Sequence, residues 1–418
     1  MSTNRSFQSM LNQYLPLELL QEELIKRDYL MQKVDQVSDW KGGDLIVPFE
    51  GQHASSIEFG SLTAESDISQ YKYVRGSITT QPEVWATLLF NHRDLMEHDG
   101  KIPESTFLKI LPNQIESMMT YFKMCVSVHL LNTSLAKVTV DGTAGGVLEV
   151  DRVDRFTVDQ KCVLDDGNSS PLTVYVINVD VNGGTLGEGK ITVSATRGGA
   201  AADVSAYTVA QGAALYHVGA QSAGMTSLPS QLLSAANGGS TNLFGVAKTA
   251  WSFLQAVQID GSAVSATNIL AKIFDGYTRR QRLAKSGKIP EVLMSYKHFG
   301  SILKIIEASK GAFNVQPGSM KASQYGWQTV SIGSVSGHIL TMTAVQEMAD
   351  SEIYYLDWDG IKFYSNGLFK RRKAPDGKEY FEIRATTGYQ YILDHCLFGD
   401  LVVTAPWKQA VMHSIPNY

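Results

Sequence analysis

Charge is scarce in this chain. Of its 418 residues only 18% are Asp, Glu, Lys or Arg, against about 25% in ordinary soluble domains. So little charge leaves surface to be hidden, and partner subunits are the simplest place to hide it. A basic excess is also missing: 36 Lys and Arg face 41 Asp and Glu, a net charge of −5, which excludes a dedicated basic nucleic-acid binder. Cysteine is sparse. Cys125, Cys162 and Cys396 form no CxxC or Cys/His zinc spacing, and an odd number cannot all pair internally, so reduced thiols in a cytosolic protein are expected. No apolar run approaches the roughly 20 residues that span a bilayer. The opening MSTNRSFQSMLNQYLPLELL lacks a basic segment followed by an apolar core, so it does not read as a signal peptide.

What the chain does have is ample core material, 44% hydrophobic and 10% aromatic residues, in a length that suits two or three domains. Residues 16–37 read as an amphipathic helix, with Pro16 at its first turn and Leu17, Leu20, Leu24, Met31 and Val34 on one stripe. Residues 44–80 read as two strands around a polar tip, EGQHASSIEFGSLTAESD. A two-stranded ribbon is marginal alone in water and needs a surface to lie on. Pro82 is expected to open a short helix with Trp85, Leu88, Leu89, Leu95 and Met96 inward. A second short helical piece starts at Pro103 and breaks at Pro112, and the longest helix follows at 113–134 with Met119, Phe122 and Val126 on its stripe.

Composition changes near residue 138. Up to about 223 the segments GVLEV, FTVDQKCVL, LTVYVINV, KITVSAT and ALYHVG alternate with the turn sequences DDGNSSP, NGGTLGEG and RGGAAAD, a small all-β module. It holds ten acids and five bases, so the rest of the chain carries thirty-one of each and the acidity of the protein is that of this module. Beyond 224, helices over Ile269–Tyr277 and Phe299–Ile306 flank the buried strand PEVLMS. Further strands follow at GHILTMTAV, SEIYYLDW, IKFYS, EYFEIRATTGYQYIL and DLVVTAP, with a turn at Pro375-Asp376-Gly377.

Catalytic patterns fail on inspection. Gly184-x4-Gly189-Lys190 fits the start of a phosphate loop, but Ile191 stands where Ser or Thr would hold magnesium, and a strand follows instead of a helix. His92 and His98 are six apart, which does not put two imidazoles on one helical face. Asp357 and Asp359 could be paired carboxylates on a strand, but Asp359-Gly360 is equally a turn signature. No G-x-S-x-G elbow frames a serine. The run Lys370-Arg371-Arg372-Lys373 reads either as a solvated hairpin end or as a partner for phosphate or a neighbour's acids. No enzyme, metal or cofactor is expected.

The order of elements resembles the major capsid protein of tailed bacteriophages, whose fold is shared with encapsulins and herpesvirus shells. The resemblance runs through the arm, the hairpin and the long helix. It continues in WSFLQAV, TNILAKIFDGYTRR, IPEVLMSYKHFGSILKII, GHILTMTAVQEMADSEIYYLDWDGIKFY and the closing ATTGYQYILDHCLFGDLVVTAPWKQAVMHSI. It implies an α+β capsid fold: an N-terminal arm (1–43), an extended β-hairpin loop (44–81), a peripheral domain (82–137 and 360–400) with spine helix 113–134, an all-β insertion domain (138–223), and an axial domain (224–359 and 401–418). It further implies hexamers and pentamers that close an icosahedral shell around double-stranded DNA held without sequence specificity. A separate scaffolding protein and a portal would be partners, with room for a decoration protein, and no membrane is involved. The chain would be assembled in the host cytoplasm and reside in the virion capsid. Inter-subunit contacts would fall on Leu20, Leu24, Phe49, His53, Ile57, Phe59, Tyr71, Tyr73, Lys370, Arg371, Arg372 and Lys373. An encapsulin-like compartment for protein cargo is the alternative reading, and a surface-binding module built on the β insert is a third.

Five net negative charges per insert, repeated over a shell, would repel packaged phosphates. The insert is therefore expected to face outward, where acidity keeps particles soluble, or to fill gaps between capsomers. Limited proteolysis of intact particles should cut the DDGNSSP, NGGTLGEG or RGGAAAD turns while the shell stays closed; cleavage only after opening would contradict the outward placement.

Overall fold

The computed structural model describes residues 22, 25–26, 28–38, 40, 43–51, 74–91, 104–139, 146–166, 170–184, 189–201, 209–284, 288–308, 321–322, 327–333, 339–367, 369–385 and 388–416. The fold is α+β. It divides into two units, one of Met1–Lys123 with Thr226–Tyr418, the other of Met124–Met225.

In the larger unit the N-terminal helix does not run unbroken to 37. Asp28 is extended, and its carboxylate accepts the Met31 N–H at 2.9 Å, capping a short helix α1 (Tyr29–Lys33). Val34 then turns extended and leads into strand β1 (Asp35–Val37). The cap explains the difference: an aspartate that bonds its own backbone competes with helix continuation. Tyr29, Leu30, Met31 and Val34 are all buried by this same chain.

Strands β2 (Leu45–Phe49) and β3 (Val74–Ile78) pair antiparallel, Leu45 opposite Ile78 and Phe49 opposite Val74, as the alternating pattern indicates. Val47 and Phe49 face inward, fully buried, while Ile46 stays 58% exposed. A Cβ at Gly76 would come within 2.8 Å of the Phe49 ring and 2.9 Å of the Phe244 Cβ, so only glycine lets β3 lie this close. The surface beneath the base of this ribbon is its own chain: Leu243, Phe253, Leu254, Val402 and Trp407 complete that core.

Two expectations are corrected next. Residues 83–91 are a strand, β4 (Glu83–Asn91), not a helix, because they pair along their whole length with a later strand. Helix α2 runs Glu104–Leu131, taking in Pro112 and the separate piece expected from Pro103. A proline inside a helix costs about 3 kcal/mol, and packing of the stripe on its C-terminal side outweighs that: Met119, Phe122 and Val126 are 2%, 3% and 0% exposed. The helix is about 42 Å long at ~1.5 Å per residue. Lys123 pairs with Glu347 at 2.8 Å, both nearly buried.

The smaller unit is a six-stranded antiparallel sheet of β5 (Ala136–Lys137), β6 (Val147–Glu149), β7 (Lys161–Asp165), β8 (Leu172–Asp180), β9 (Lys190–Ser194) and β10 (Ala214–His217), in the order β5-β10-β7-β8-β9-β6. Its two ends meet. Val138 bridges Val150, the Thr139 N–H donates to the Glu149 carbonyl at 2.9 Å, and the Asp151 N–H donates to the Lys137 carbonyl at 3.0 Å. The sheet is thus a closed barrel, which removes its edges. Strand alternation fills the interior: Leu148, Cys162, Leu164, Val174, Ile191 and Leu215 are at most 1% exposed. Gly184 (φ +100°) and Gly189 (φ +112°) flank the β8–β9 connection, and a Cβ at Gly189 would sit 2.5 Å from Val153. The apparent phosphate loop is hairpin geometry, and Lys190 is spent on Glu149 at 3.0 Å.

The chain returns through helix α3 (Leu228–Leu232) and a small hairpin, β11 (Asn242–Leu243) and β12 (Val246–Ala247). Then follow β13 (Val257–Asp260), helix α4 (Ile269–Ala284), β14 (Glu291–Met294), helix α5 (Tyr296–Ala308), β15 (Lys321–Ala322), β16 (Trp327–Gly333), β17 (Ile339–Val345), β18 (Ile353–Leu356), β19 (Ile361–Tyr364), β20 (Phe369–Arg371), β21 (Phe381–Ala385), β22 (Gly388–Phe398), β23 (Asp400–Val403) and β24 (Ala410–His413). A seven-stranded mixed sheet has the order β13-β24-β18-β14-β17-β16-β15. Its alternate residues Val292, Met294, Met342, Ala344, Ile353, Tyr355, Ala410 and Met412 form one core with Ile269 and Ile273 of α4 and Phe299 and Ile302 of α5. Period-two alternation means that both helices lie on one face. The other face takes α1, where Glu291 accepts hydrogen bonds from the Tyr29 hydroxyl, from Thr343 Oγ1 at 2.6 Å and from Trp358 Nε1 at 2.8 Å. Strand β19 lies between β1, parallel, and β23, antiparallel.

Phe122→Asp should leave the protein insoluble, since an unpaired charge at a site 3% exposed costs several kcal/mol. Glu116→Gln, on the exposed side of α2, should stay soluble with an unchanged melting curve. A soluble, cooperatively melting Phe122→Asp protein would contradict the assigned stripe.

Candidate assembly surfaces

A four-stranded sheet in the larger unit carries exposed apolar side chains on one face. Strand β22 is central: β4 covers one edge from Gln390↔Asn91 to Phe398↔Glu83, and β20 and β21 share the other. Residues opposite one another in antiparallel strands share a face. One face is core, with Leu88, Leu393, His395 and Leu397 buried. The other carries Trp85, 46% exposed, and Leu89, 50% exposed. The Trp85 ring meets Phe398 edge-on at 6.1 Å. Thr87 Oγ1 donates to Asp394 at 2.8 Å. Cations rim this apolar floor: Lys370 Nζ lies 5.4 Å from the Phe398 ring, and the Arg372 guanidinium 5.1 Å from the Phe381 ring.

Strand geometry splits the basic run. Lys370 and Arg372 point outward and are exposed, whereas Arg371 points inward with a side chain 4% exposed, paired to Glu379 at 2.9 Å. Arg371 Nε also donates to His395 Nε2 at 3.2 Å. Burial, and then that guanidinium, push the His395 imidazole down to about 3, so it stays neutral as an acceptor. Arg372 reaches Asp394 at 3.8 Å, and Lys373 is exposed beyond the strand. The expected four-cation run is therefore an outward Lys370, Arg372 and Lys373 with Arg371 removed into the core.

Of the other expected contact residues, Phe49 is wholly buried, stacked 6.3 Å from Phe244, which leaves no side-chain surface for another chain. Leu20, Leu24, His53, Ile57, Phe59, Tyr71 and Tyr73 lie outside the described residues, as do His92 and His98. The two candidate carboxylates are structural: Asp357 caps a short turn near buried Arg280, and Asp359 pairs with Lys288 at the surface. Among the described residues no group of three His, Cys, Asp or Glu could hold a metal. All three cysteines are free thiols. Trp85 and Leu89 were missed as surface residues because a helical reading turned both inward.

One buried acid stands apart. Asp400, 1% exposed, accepts the Thr226 N–H at 2.6 Å and its own Leu401 main chain at 2.9 Å on Oδ1, and the Thr226 hydroxyl at 2.7 Å on Oδ2. Burial pushes its carboxyl up to about 7 against those hydrogen bonds. The chain re-enters the larger unit at Thr226, so this carboxyl holds the point of return.

No protein-family model and no curated protein sequence matches this chain. Solved structures do. The native capsid of a GTA particle is similar over 92% of this chain and 90% of that one, at 9% identity and a TM-score of 0.45. The capsid of cyanophage A-1(L) is similar over 100% and 98%, at 12% identity and 0.43. A virus-like particle from Pyrococcus furiosus is similar over 95% and 96%, at 8% identity and 0.38.

The Asp400 carboxyl binds its proton more tightly folded than unfolded, so its stabilising contribution is complete below about pH 4 and lost as pH rises to about 7. Asp400→Asn should retain the backbone contacts, since Thr226 Oγ1 can turn to accept from the amide. Melting temperatures of the two proteins, measured from pH 4 to 8, should diverge in favour of the Asn variant as pH rises and then run parallel above about 7. A constant difference across that range would refute the shift.

Proposed function

We propose that this chain is the major capsid protein of a tailed phage: a subunit that assembles with copies of itself, in hexamers and pentamers, into an icosahedral shell around double-stranded DNA. A scaffolding protein and a portal would join it during assembly in the host, and the finished chain would reside in the virion. It needs no catalysis for this role.

The observation that carries the reading is the outer face of the four-stranded sheet. Trp85 and Leu89 stand open beside Lys370, Arg372 and Lys373. The chain also encodes a matching opposite. Between β2 and β3, residues 51–67 have Ile57 and Phe59 among Glu58, Glu65 and Asp67 and no Lys or Arg, with Lys72 the one base before β3. Apolar groups meet apolar groups and three acids meet three bases when this segment of one copy lies on the sheet of the next. Such a contact joins two different patches and is heterologous, and heterologous contacts close into rings when the rotation permits. Rings of six and five are the units from which an icosahedral shell is tiled. The anchoring energy would come from Trp85 and its neighbours, with the exposed charges setting register and contributing at most about 1 kcal/mol each.

The double variant Trp85→Asp/Leu89→Asp should fold, because surface changes of this kind shift stability by only about 0.5 kcal/mol. Electron microscopy of the wild type expressed with its neighbouring genes should show closed, DNA-containing shells, and the variant only loose subunits. Closed shells from the variant would remove this contact from the assembly; shells filled with protein and no DNA would favour the encapsulin-like reading.

A further inference from the structure

The helical layer of the seven-stranded sheet has a charge distribution that the shell contact does not use. On α4, Lys272, Arg279 and Arg282 turn away from the core formed by Ile269, Ile273 and buried Arg280; on α5, Lys304 turns away from Phe299 and Ile302. None of these four makes an ion pair with any described residue, unlike Lys33, Lys123, Lys190, Lys288, Arg371, Arg372 and Lys408. Lys137, Lys161, Lys362, Lys370 and Lys373 also have none, but among the described residues it is on α4 and α5 that four such cations share one helical layer. Asp275 and Glu307 are the acids exposed on the same two helices, and neither lies within salt-bridge distance of the four cations. Helices α4 and α5 pack side by side, so their cations share one surface.

We propose that the solvent face of the α4–α5 layer is where the chain meets duplex DNA, through the phosphate backbone and without reading sequence. The proposal rests on the shell reading above and names the surface that would serve it. Spacing favours a polyanion over a short acidic peptide. Lys272 to Arg282 covers ten residues, about 15 Å of helix axis, along which a duplex presents about nine phosphate charges at one per ~1.7 Å. Among the described residues of the two helices the one exposed ring is Tyr296, at the first residue of α5, where a single strand would need a series of stacking platforms for its successive bases. The basic hairpin at 370–373 is the weaker candidate, because Arg371 is buried and Lys370 and Arg372 already lie over rings.

Titrating the purified full chain with a labelled random-sequence duplex tests this. Neutralising four phosphates gives a slope of about −3.6 in log affinity against log salt, a loss of about 150-fold between about 50 and 200 mM. Arg279→Gln/Arg282→Gln should weaken binding and flatten the slope by about 1.8, so that the variant loses only about 12-fold over the same salt range, while Lys137→Gln/Lys161→Gln, exposed on the barrel, binds as the wild type does. Equal affinity and slope for wild type and the α4 variant overturn the inference, as does loss of binding confined to a Lys370→Gln/Lys373→Gln variant. Electron microscopy of the same preparations keeps the two readings apart: shells that close while the α4 variant binds duplex normally overturn this surface alone, and a wild type that never closes shells overturns the shell reading itself.

Discussion

Glu291 is where the larger unit is tied together. Its carboxylate, on the first residue of β14, receives the Tyr29 hydroxyl from the N-terminal segment, Thr343 from β17 and the Trp358 indole from the turn before β19; Lys33 lies 3.3 Å away. Each donor comes from a different stretch of chain. A buried carboxylate with fewer partners would carry a desolvation penalty of several kcal/mol, so α1 must be docked for the sheet face to be tolerable. Docking α1 in turn delivers β1 to its parallel pairing with β19, which no local turn could arrange. Burial of the tyrosine beside that carboxylate raises the phenol well above its usual range, keeping it a donor.

The parts legible from sequence were those where one pattern had one solution. The barrel strands alternate cleanly and are bounded by Gly- and Asn-rich turns, so each of the segments from GVLEV to ALYHVG holds a strand. Closure was not legible, because β5 has only two residues and the final bridge is the single pair Val138 and Val150. The β4 segment EVWATLLFN is apolar almost throughout, and such a run satisfies helical and strand periods alike; pairing with β22 decides between them, and that partner lies some three hundred residues away in sequence. The basic run failed for a related reason. Four adjacent cations look like one patch until strand alternation sends Arg371 to the opposite face.

Charge is partitioned as well as scarce. The barrel's segment carries the whole net negative charge, yet several of its acids are engaged locally: Asp154 by Arg152 at 2.9 Å, Glu149 by Lys190, Asp165 by Gln221. Among the described residues, four cations without an ion pair lie together on α4 and α5. A net charge of −5 therefore says little about any one face, and the local balance is what a partner meets within a Debye length of about 8 Å.

Closure of the barrel has a consequence for assembly. An open sheet of six short strands would offer two edges to any neighbouring chain, and edge pairing is indifferent to sequence and prone to run on without limit. Joining β5 to β6 removes that route from the smaller unit, so in the proposed shell its contacts would fall to side chains, which specify partner and register. The four-stranded sheet handles the same hazard differently. Its edge strand β4 begins after Pro82, whose missing N–H cannot extend a ladder, and its outward side chains are Glu83, Trp85, Thr87 and Leu89. A neighbour gains most by covering that face, where apolar area is removed from water at about 25 cal/mol per Å², rather than by extending the edge. In the proposed shell, contacts made on faces would fix an angle between subunits, and a fixed angle is what lets a ring close.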